Sequence, residues 1–118
     1  MPERLDVRNQ KFTDIMIAVE SLDGAESVWN GVMGLERVAE GQGWRMLQDP
    51  DTKQRLVITS EPFGAEWAIA FAAKDLDTTL NALGLARAVV QRQDTSAVGF
   101  QYALARTFAG QPILVYVE

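Results

Sequence analysis

The chain has 118 residues, 47% of them hydrophobic and 23% charged, with a formal net charge of −5; this is enough sequence for a single domain (residues 1–118) that buries a core without disulfides or structural metals. It contains no histidine and no cysteine, which removes imidazole chemistry, thiolate nucleophiles and Cys-ligated zinc. Its eleven basic residues are scattered, no apolar run approaches the ~18 residues of a membrane span, and MPERLDVRNQ at the N-terminus lacks the apolar core of a signal peptide, so the expectation is a cytoplasmic protein with no nucleic-acid and no membrane partner.

Residues 1–12 read as a lead-in, an arm able to pack on a neighbour. Asp14 to Glu20 alternates and is rich in β-branched residues, which predicts a strand. Ser21 is placed to cap a helix over Leu22 to Met33, with Gly34 as its C-terminal glycine. Strands are expected over Leu35–Glu40 and Trp44–Gln48, joined by a turn at Gly41–Gly43 that is too short for a phosphate loop. Asp49-Pro50-Asp51-Thr52 is a turn signature, and Gln54 to Ser60 is the fourth strand. A linker at 61–66 separates this first module, about 12–60, from a second at about 67–118. There, Trp67–Ala73 is a strand, Asp75 caps a helix over Leu76–Leu83 that ends before Gly84, and strands follow over Ala86–Gln91, Val98–Thr107 and Pro112–Val117. Gln93 to Ala97 reads as a loop and Ala109-Gly110-Gln111 as a turn.

The two halves repeat a pattern. IMIAVESLDGAES (Ile15–Ser27) and IAFAAKDLDTTLN (Ile69–Asn81) each run from an apolar strand through Leu-Asp into a helix, and Leu56-Val57-Ile58 is echoed by Leu114-Val115-Tyr116. Two matches in the same order indicate a duplicated β-α-β-β-β unit of about 50 residues.

With these motifs in place the chain resembles the vicinal oxygen chelate superfamily, the glyoxalase, bleomycin-resistance and extradiol-dioxygenase group. The stretches that carry the resemblance are Ser21-Leu22, Val28-Trp29, Met33-Gly34-Leu35-Glu36 and Asp49-Pro50-Asp51-Thr52, then Lys74-Asp75-Leu76-Asp77 and, more loosely, Gly110-Gln111-Pro112-Ile113. It spans about residues 12–118, and the order and spacing of the motifs carry it rather than any one of them. The resemblance implies an α+β fold in which two βαβββ modules form a curved-sheet cup. It also implies metal ligands, usually His or Glu, at the start of each module's first strand and within its last. Those positions here hold Asp14, Leu56, Ala68 and Leu114. Three of the four offer no lone pair, and their neighbours Val57 and Val115 are no better. Zinc needs about four donors and a hard cation about six, so a member without metal or other cofactor is expected.

If the ligand positions face the cup, strand alternation adds Met16 and Ala18 to Asp14, Ala70 and Ala72 to Ala68, Gln54 and Ile58 to Leu56, and Pro112 and Tyr116 to Leu114. Ile15, Ile17, Val19, Ile69 and Phe71 then pack under the helices. Trp29 belongs to the core. Trp44 and Trp67 are placed either to stack on a flat ligand at the cup mouth or to cover a dimer seam. Phe100 and Tyr102 share one face of the seventh strand and Gln101 takes the other; the sequence does not say which lines the cup. Arg106 and Glu66 are candidate rim charges.

Three functions fit. The first is a metal-independent small-molecule-binding protein holding an apolar or aromatic ligand, which the mostly apolar lining favours. The second is a cofactor-free isomerase, lyase or cyclase with Asp14 as acid/base and Tyr116 or Gln54 as donor to a developing oxyanion. The third is a non-catalytic interaction scaffold. A homodimer is expected, as the default symmetry for small members and as protection for strand edges.

Overall fold

A computed structural model describes residues 11–96 and 99–117, Lys11 by its backbone alone. Expectations that fall on residues 1–10, 97, 98 and 118, including most of the lead-in arm and the start of the seventh strand at Val98, lie outside the described residues.

The β-α-β-β-β order occurs twice. Module one runs β1 (Lys11–Ala18), α1 (Leu22–Trp29), β2 (Glu36–Gly41), β3 (Trp44–Gln48) and β4 (Arg55–Thr59). Module two runs β5 (Trp67–Ala72), α2 (Leu76–Leu85), β6 (Val89–Thr95), β7 (Gln101–Arg106) and β8 (Pro112–Val117). Strand order is β2-β3-β4-β1 in the first and β5-β8-β7-β6 in the second, so each module's last strand lies beside its first. β1 and β4 pair in parallel, Ile15 opposite Leu56 and Ile17 opposite Ile58. A parallel pair needs a long crossover, which α1, β2 and β3 supply. All the other pairs described are antiparallel. One compact unit is Asp14–Ile69 and the other joins the described residues up to Thr13 with those from Ala70 on, so the division falls inside β1 and β5.

The helix starts follow local chemistry. Ser21 is extended and its side chain accepts the Gly24 N–H; Asp75 is extended and accepts from the Asp77 and Thr78 N–H groups. Each cap satisfies a donor that the first helical turn leaves unpaired. α1 lies on Ile15, Ile17, Val19, Leu47, Leu56 and Ile58 through Leu22, Ala25 and Trp29. α2 lies on Ala73, Ala103, Ile113, Val115 and Val117 through Leu76, Leu80 and Leu83.

Several boundaries differ from expectation. β1 begins at Lys11, so the end of the lead-in is strand. α1 stops at Trp29, short of Met33, because bonds widen to Gly31 N–H→Glu26 O and Met33 N–H→Val28 O; Leu35 N–H then closes onto Trp29 O with Gly34 at φ +83°. α2 passes through Gly84, and the left-handed residue that ends it is Arg87 at φ +66°. β6 begins at Val89 and extends to Thr95 through residues read as a loop. Its partner β7 supplies the ladder that the polar sequence Gln93-Asp94-Thr95 does not advertise, with a register shift between Val90 and Arg92.

Gly84 has no heavy atom within 4 Å of where a Cβ would stand and no left-handed φ. Gly84→Ala should therefore raise unfolding stability by about 0.5–1 kcal/mol, read by urea denaturation. The Thr78 hydroxyl, then the Thr78 and Asp77 amides, hold the Asp75 carboxyl below the usual carboxylate range. A group depressed on folding stabilises above its unfolded pKa and loses that contribution as pH falls through the folded one. Asp75→Ala should thus lower the unfolding midpoint at pH 7, and the gap to the parent should close on acidification below about pH 4.

Candidate functional site

The β1–β4–β3 register sorts module one's side chains into two faces. Leu47, Leu56, Ile58, Ile15 and Ile17 are on the α1 side, as is Arg45, whose guanidinium lies 2.7 Å from Asp23 of α1. The opposite face carries Asp14, Met16 and Ala18 from β1, Arg55, Val57 and Thr59 from β4, and Trp44, Met46 and Gln48 from β3. Leu56 and Ile58 therefore do not share a face with Asp14, as the sequence reading had it. The assignment slipped by one residue, which in a strand exchanges every side chain's face. Gln54 precedes β4, is exposed, and gives its amide to the Arg55 carbonyl.

Asp14 is only 4% exposed, and Arg55 Nε lies 2.9 Å from its Oδ1. That oxygen nonetheless has no well-aimed hydrogen bond, so the contact is a close ion pair rather than a directed N–H···O bond. About a third of the Arg55 side chain, 34%, meets solvent. Two rows along the same face, Trp44 stands opposite Thr59 on one side and Gly41 on the other. Its indole lies over Gly41, where a Cβ would meet Nε1 at 2.2 Å. The turn before it is tied down by the Ser60 N–H and the Thr59 hydroxyl, both donating to the Gly43 carbonyl. Met16 opposes Val57, and Val57 opposes Met46. Val57 and Thr59 are buried, and Met16, Trp44 and Met46 half-buried. Trp67 opens β5 with 44% exposure.

In module two, pairing with β8 decides the face of β7. Ala103 and Val115 are under α2, so Tyr102, Leu104, Leu114 and Tyr116 are on the other side. The Arg92 guanidinium sits 6.0 Å from the Tyr102 ring centroid, within cation–π range. Phe100 meets Tyr116 edge-on at 6.1 Å. The Tyr116 hydroxyl donates to Thr13 Oγ1 at 3.0 Å, which in turn donates to the Ala70 carbonyl. Ala68 and Ala70 have no exposed surface, and Tyr102 and Leu114 are buried. Ala72, the third alanine of β5, is half-buried. Arg106, a proposed rim charge, bonds Gln91 and the Gly110 carbonyl.

Of the module-one positions that the resemblance links to a metal, β1 holds Asp14 and, with the register corrected, β4 holds Val57; Asp14 faces the Arg55 guanidinium. Among the described residues no three His, Cys, Asp or Glu side chains gather to hold an ion. Nor is any helix there long and apolar enough to cross a membrane.

No protein-family model matches the sequence, and no curated protein matches it. Solved structures do match in shape. A protein described as an NAD-dependent benzaldehyde dehydrogenase from Legionella pneumophila aligns with TM-score 0.71 at 11% identity, over 87% of this chain and 96% of its own. A glyoxalase/bleomycin resistance protein/dioxygenase superfamily member from Vibrio splendidus aligns at 0.59 and 9% identity, over 92% and 97%. Methylmalonyl-CoA epimerase from Mycobacterium tuberculosis aligns at 0.59 and 17% identity, over 90% and 86%. This chain has the glyoxalase-like fold. Such identities establish the α+β architecture of two βαβββ modules and nothing finer, and the differing names of these neighbours show one fold carrying several activities.

Sequence reasoning missed Arg55, Met46 and Thr59. Once Asp14 was assigned a face, the only signal was a charged residue bordering the apolar fourth strand.

Two tests follow from this geometry. Asp14→Asn leaves Arg55 against a neutral amide and should cost about 1–3 kcal/mol, less than a fully buried pair because Arg55 is partly solvated. The double variant Asp14→Asn/Arg55→Met should recover part of that loss, with a coupling of about 0.5–3 kcal/mol in urea denaturation. Gly41→Ala should unseat the indole, displacing the Trp44 Nε1–H resonance and lowering stability by about 1–3 kcal/mol.

Proposed function

We propose that this chain is a metal-independent binder of a small apolar or aromatic molecule, held on the face of module one's sheet that α1 does not cover. The observation that carries this reading is the Asp14–Arg55 pair. The one carboxylate at a ligand position is committed to a cation supplied by the chain itself. Among the described residues, Met16, Met46, Val57 and, at the far end, the seated indole of Trp44 share this face with the pair. An apolar surface with a few fixed polar groups is the ordinary make-up of a small-molecule site. Small-molecule work is also in keeping with the fold, since neighbours that share it are named as an epimerase and a dehydrogenase.

The same pair weighs against Asp14 as a catalytic acid/base. A group that exchanges a proton with substrate must reach it within hydrogen-bond distance. Asp14 is almost wholly shielded from solvent and faces a guanidinium. Tyr116, the companion donor in that mechanism, gives its hydroxyl proton to Thr13. We further propose that the protein works as a homodimer, for which light scattering should give twice the 13.0 kDa chain mass.

Titration with a panel of flat aromatic compounds, followed through the Trp44 and Trp67 indole N–H resonances, should give saturable shifts that EDTA does not alter. Loss of binding on chelation, or stoichiometric uptake of Zn2+ or Mn2+ at the Asp14 face, would overturn the metal-independent reading.

A further inference from the structure

We infer that a second copy of this chain binds along the outer edge of β6, the two strands pairing antiparallel about Gln93 so that each Arg92 stands opposite the partner's Asp94. This deepens the homodimer proposed above and rests on it.

β6 is the end strand of module two, and among the described residues no strand pairs with its outer side. A free strand edge presents unpaired N–H and C=O groups and is a template for another strand. Gln91, Gln93, Asp94 and Thr95 are exposed, and Val89 and Val90 open the strand 63% and 39% exposed. The register shift of β6 against β7 falls between Val90 and Arg92, so Arg92 to Thr95 keeps a regular ladder.

Symmetry then selects the register. A two-fold axis normal to a continuous sheet keeps every side chain on its own face and sets one residue opposite its own copy. Centred on Arg92 or on Asp94, β6 sets like charges together. Centred on Gln91, it sets Val90 against Arg92. Centred on Gln93, it sets Arg92 against Asp94 twice. Directly opposite side chains lie about 4.5–5.5 Å apart at Cβ, where opposite charges attract and like charges repel. Arg92 and Asp94 already meet on one face, guanidinium to carboxylate at 3.3 Å, with side chains 39% and 53% exposed. The Tyr102 ring, 6.0 Å from the guanidinium, helps to hold it there. Two copies therefore close a square of charges of alternating sign, each with an opposite neighbour on its own strand and another across the seam. Charges on an edge strand ordinarily keep a second copy away; the order Arg92-Gln93-Asp94 turns them into a match.

The end strand of module one lacks that match. Centred on Val38, β2 sets Glu36 against Glu40; centred on Arg37, it sets two arginines together; centred on Ala39, it pairs no opposite charges. Arg37 is besides held by Glu26 through two nitrogens. Pairing through a single self-complementary edge is isologous and closes at two copies.

The experiment swaps the charges in the full chain and reads mass by sedimentation equilibrium over a dilution series. The parent should dimerise. Arg92→Asp and Asp94→Arg, each alone, should weaken dimerisation about tenfold or more. The double variant Arg92→Asp/Asp94→Arg should restore it, as should an equimolar mixture of the two single variants, which brings opposite charges together again in a mixed dimer. Single variants that dimerise as the parent does, or a loss that neither the double variant nor the mixture recovers, overturn the inference and leave the homodimer standing on another surface. Masses that climb past the dimer also overturn it. A parent that is monomeric at every concentration overturns both. Should a single variant fail to fold, hydrogen exchange in the parent decides: the Arg92–Thr95 amides pointing away from β7 should gain protection as the chain is concentrated, and rates that do not change overturn the inference.

Discussion

The parallel pairing of β1 with β4, Ile15 opposite Leu56, decides what each face of module one holds. It sets Leu56 and Ile58 beside Ile15 and Ile17 beneath α1, and by the same step turns Arg55 toward Asp14. Burying one such aliphatic side chain contributes about 1.5–3 kcal/mol. A slip of one residue would take Leu56 and Ile58 off the helix and put Arg55 under it without its carboxylate. The register is therefore held by the core, and the ion pair on the other face is a consequence of that packing. The same logic operates along β3, where Leu47 and Arg45 look toward α1 while Trp44 and Met46 look away.

α1 illustrates how the core side is completed by charge. None of its residues is fully buried; Leu22, Ala25 and Trp29 make only partial contact with the sheet. Arg37 of β2 grips Glu26 with two nitrogens, and Arg45 of β3 reaches Asp23 and Glu26. The Arg37 hydrogen bonds, reinforced by the charges of Arg37 and Arg45, hold the Glu26 carboxyl below its ordinary range. The bidentate geometry matters more than the count of pairs, because exposed ion pairs without it contribute little. Polar residues on β2 and β3 thus fix the helix that covers the apolar side, and the other side of the sheet is left to the candidate site.

Much of the fold was legible because the features that mark it act locally. Ser21 and Asp75 cap their helices through hydroxyl and carboxylate contacts within three residues. The repeat of strand, Leu-Asp and helix announced the duplication. What the sequence concealed was set by partners distant along the chain. Leu56-Val57-Ile58 is apolar on both faces, so alternation alone cannot say which residues look toward α1; only the pairing with β1 can. Gln93-Asp94-Thr95 is polar enough to read as loop, yet β7 draws it into a ladder. Asp14 stood out by residue type and position. Its partner Arg55 did not, because parallel pairing across the intervening helix and hairpin brings the two together. Tyr102 was identified as a candidate, but its face could be assigned only once Val115 was seen to lie under α2.

The glyoxalase-like fold itself does not select a chemistry, since neighbours of similar shape carry unrelated names. On the Asp14 face of module one, a positive charge is supplied by Arg55. A bound ion would be exchangeable and would require several donors converging from separate strands. A guanidinium on β4 requires one carboxylate beside it and the correct register, and it is present whenever the chain is folded. It cannot polarise a carbonyl as a Lewis acid does, but it can orient and neutralise an acidic group. On this face of module one, Asp14 stands beside Arg55 and the neighbouring Val57 offers no donor atom, an arrangement in keeping with the binding role proposed above.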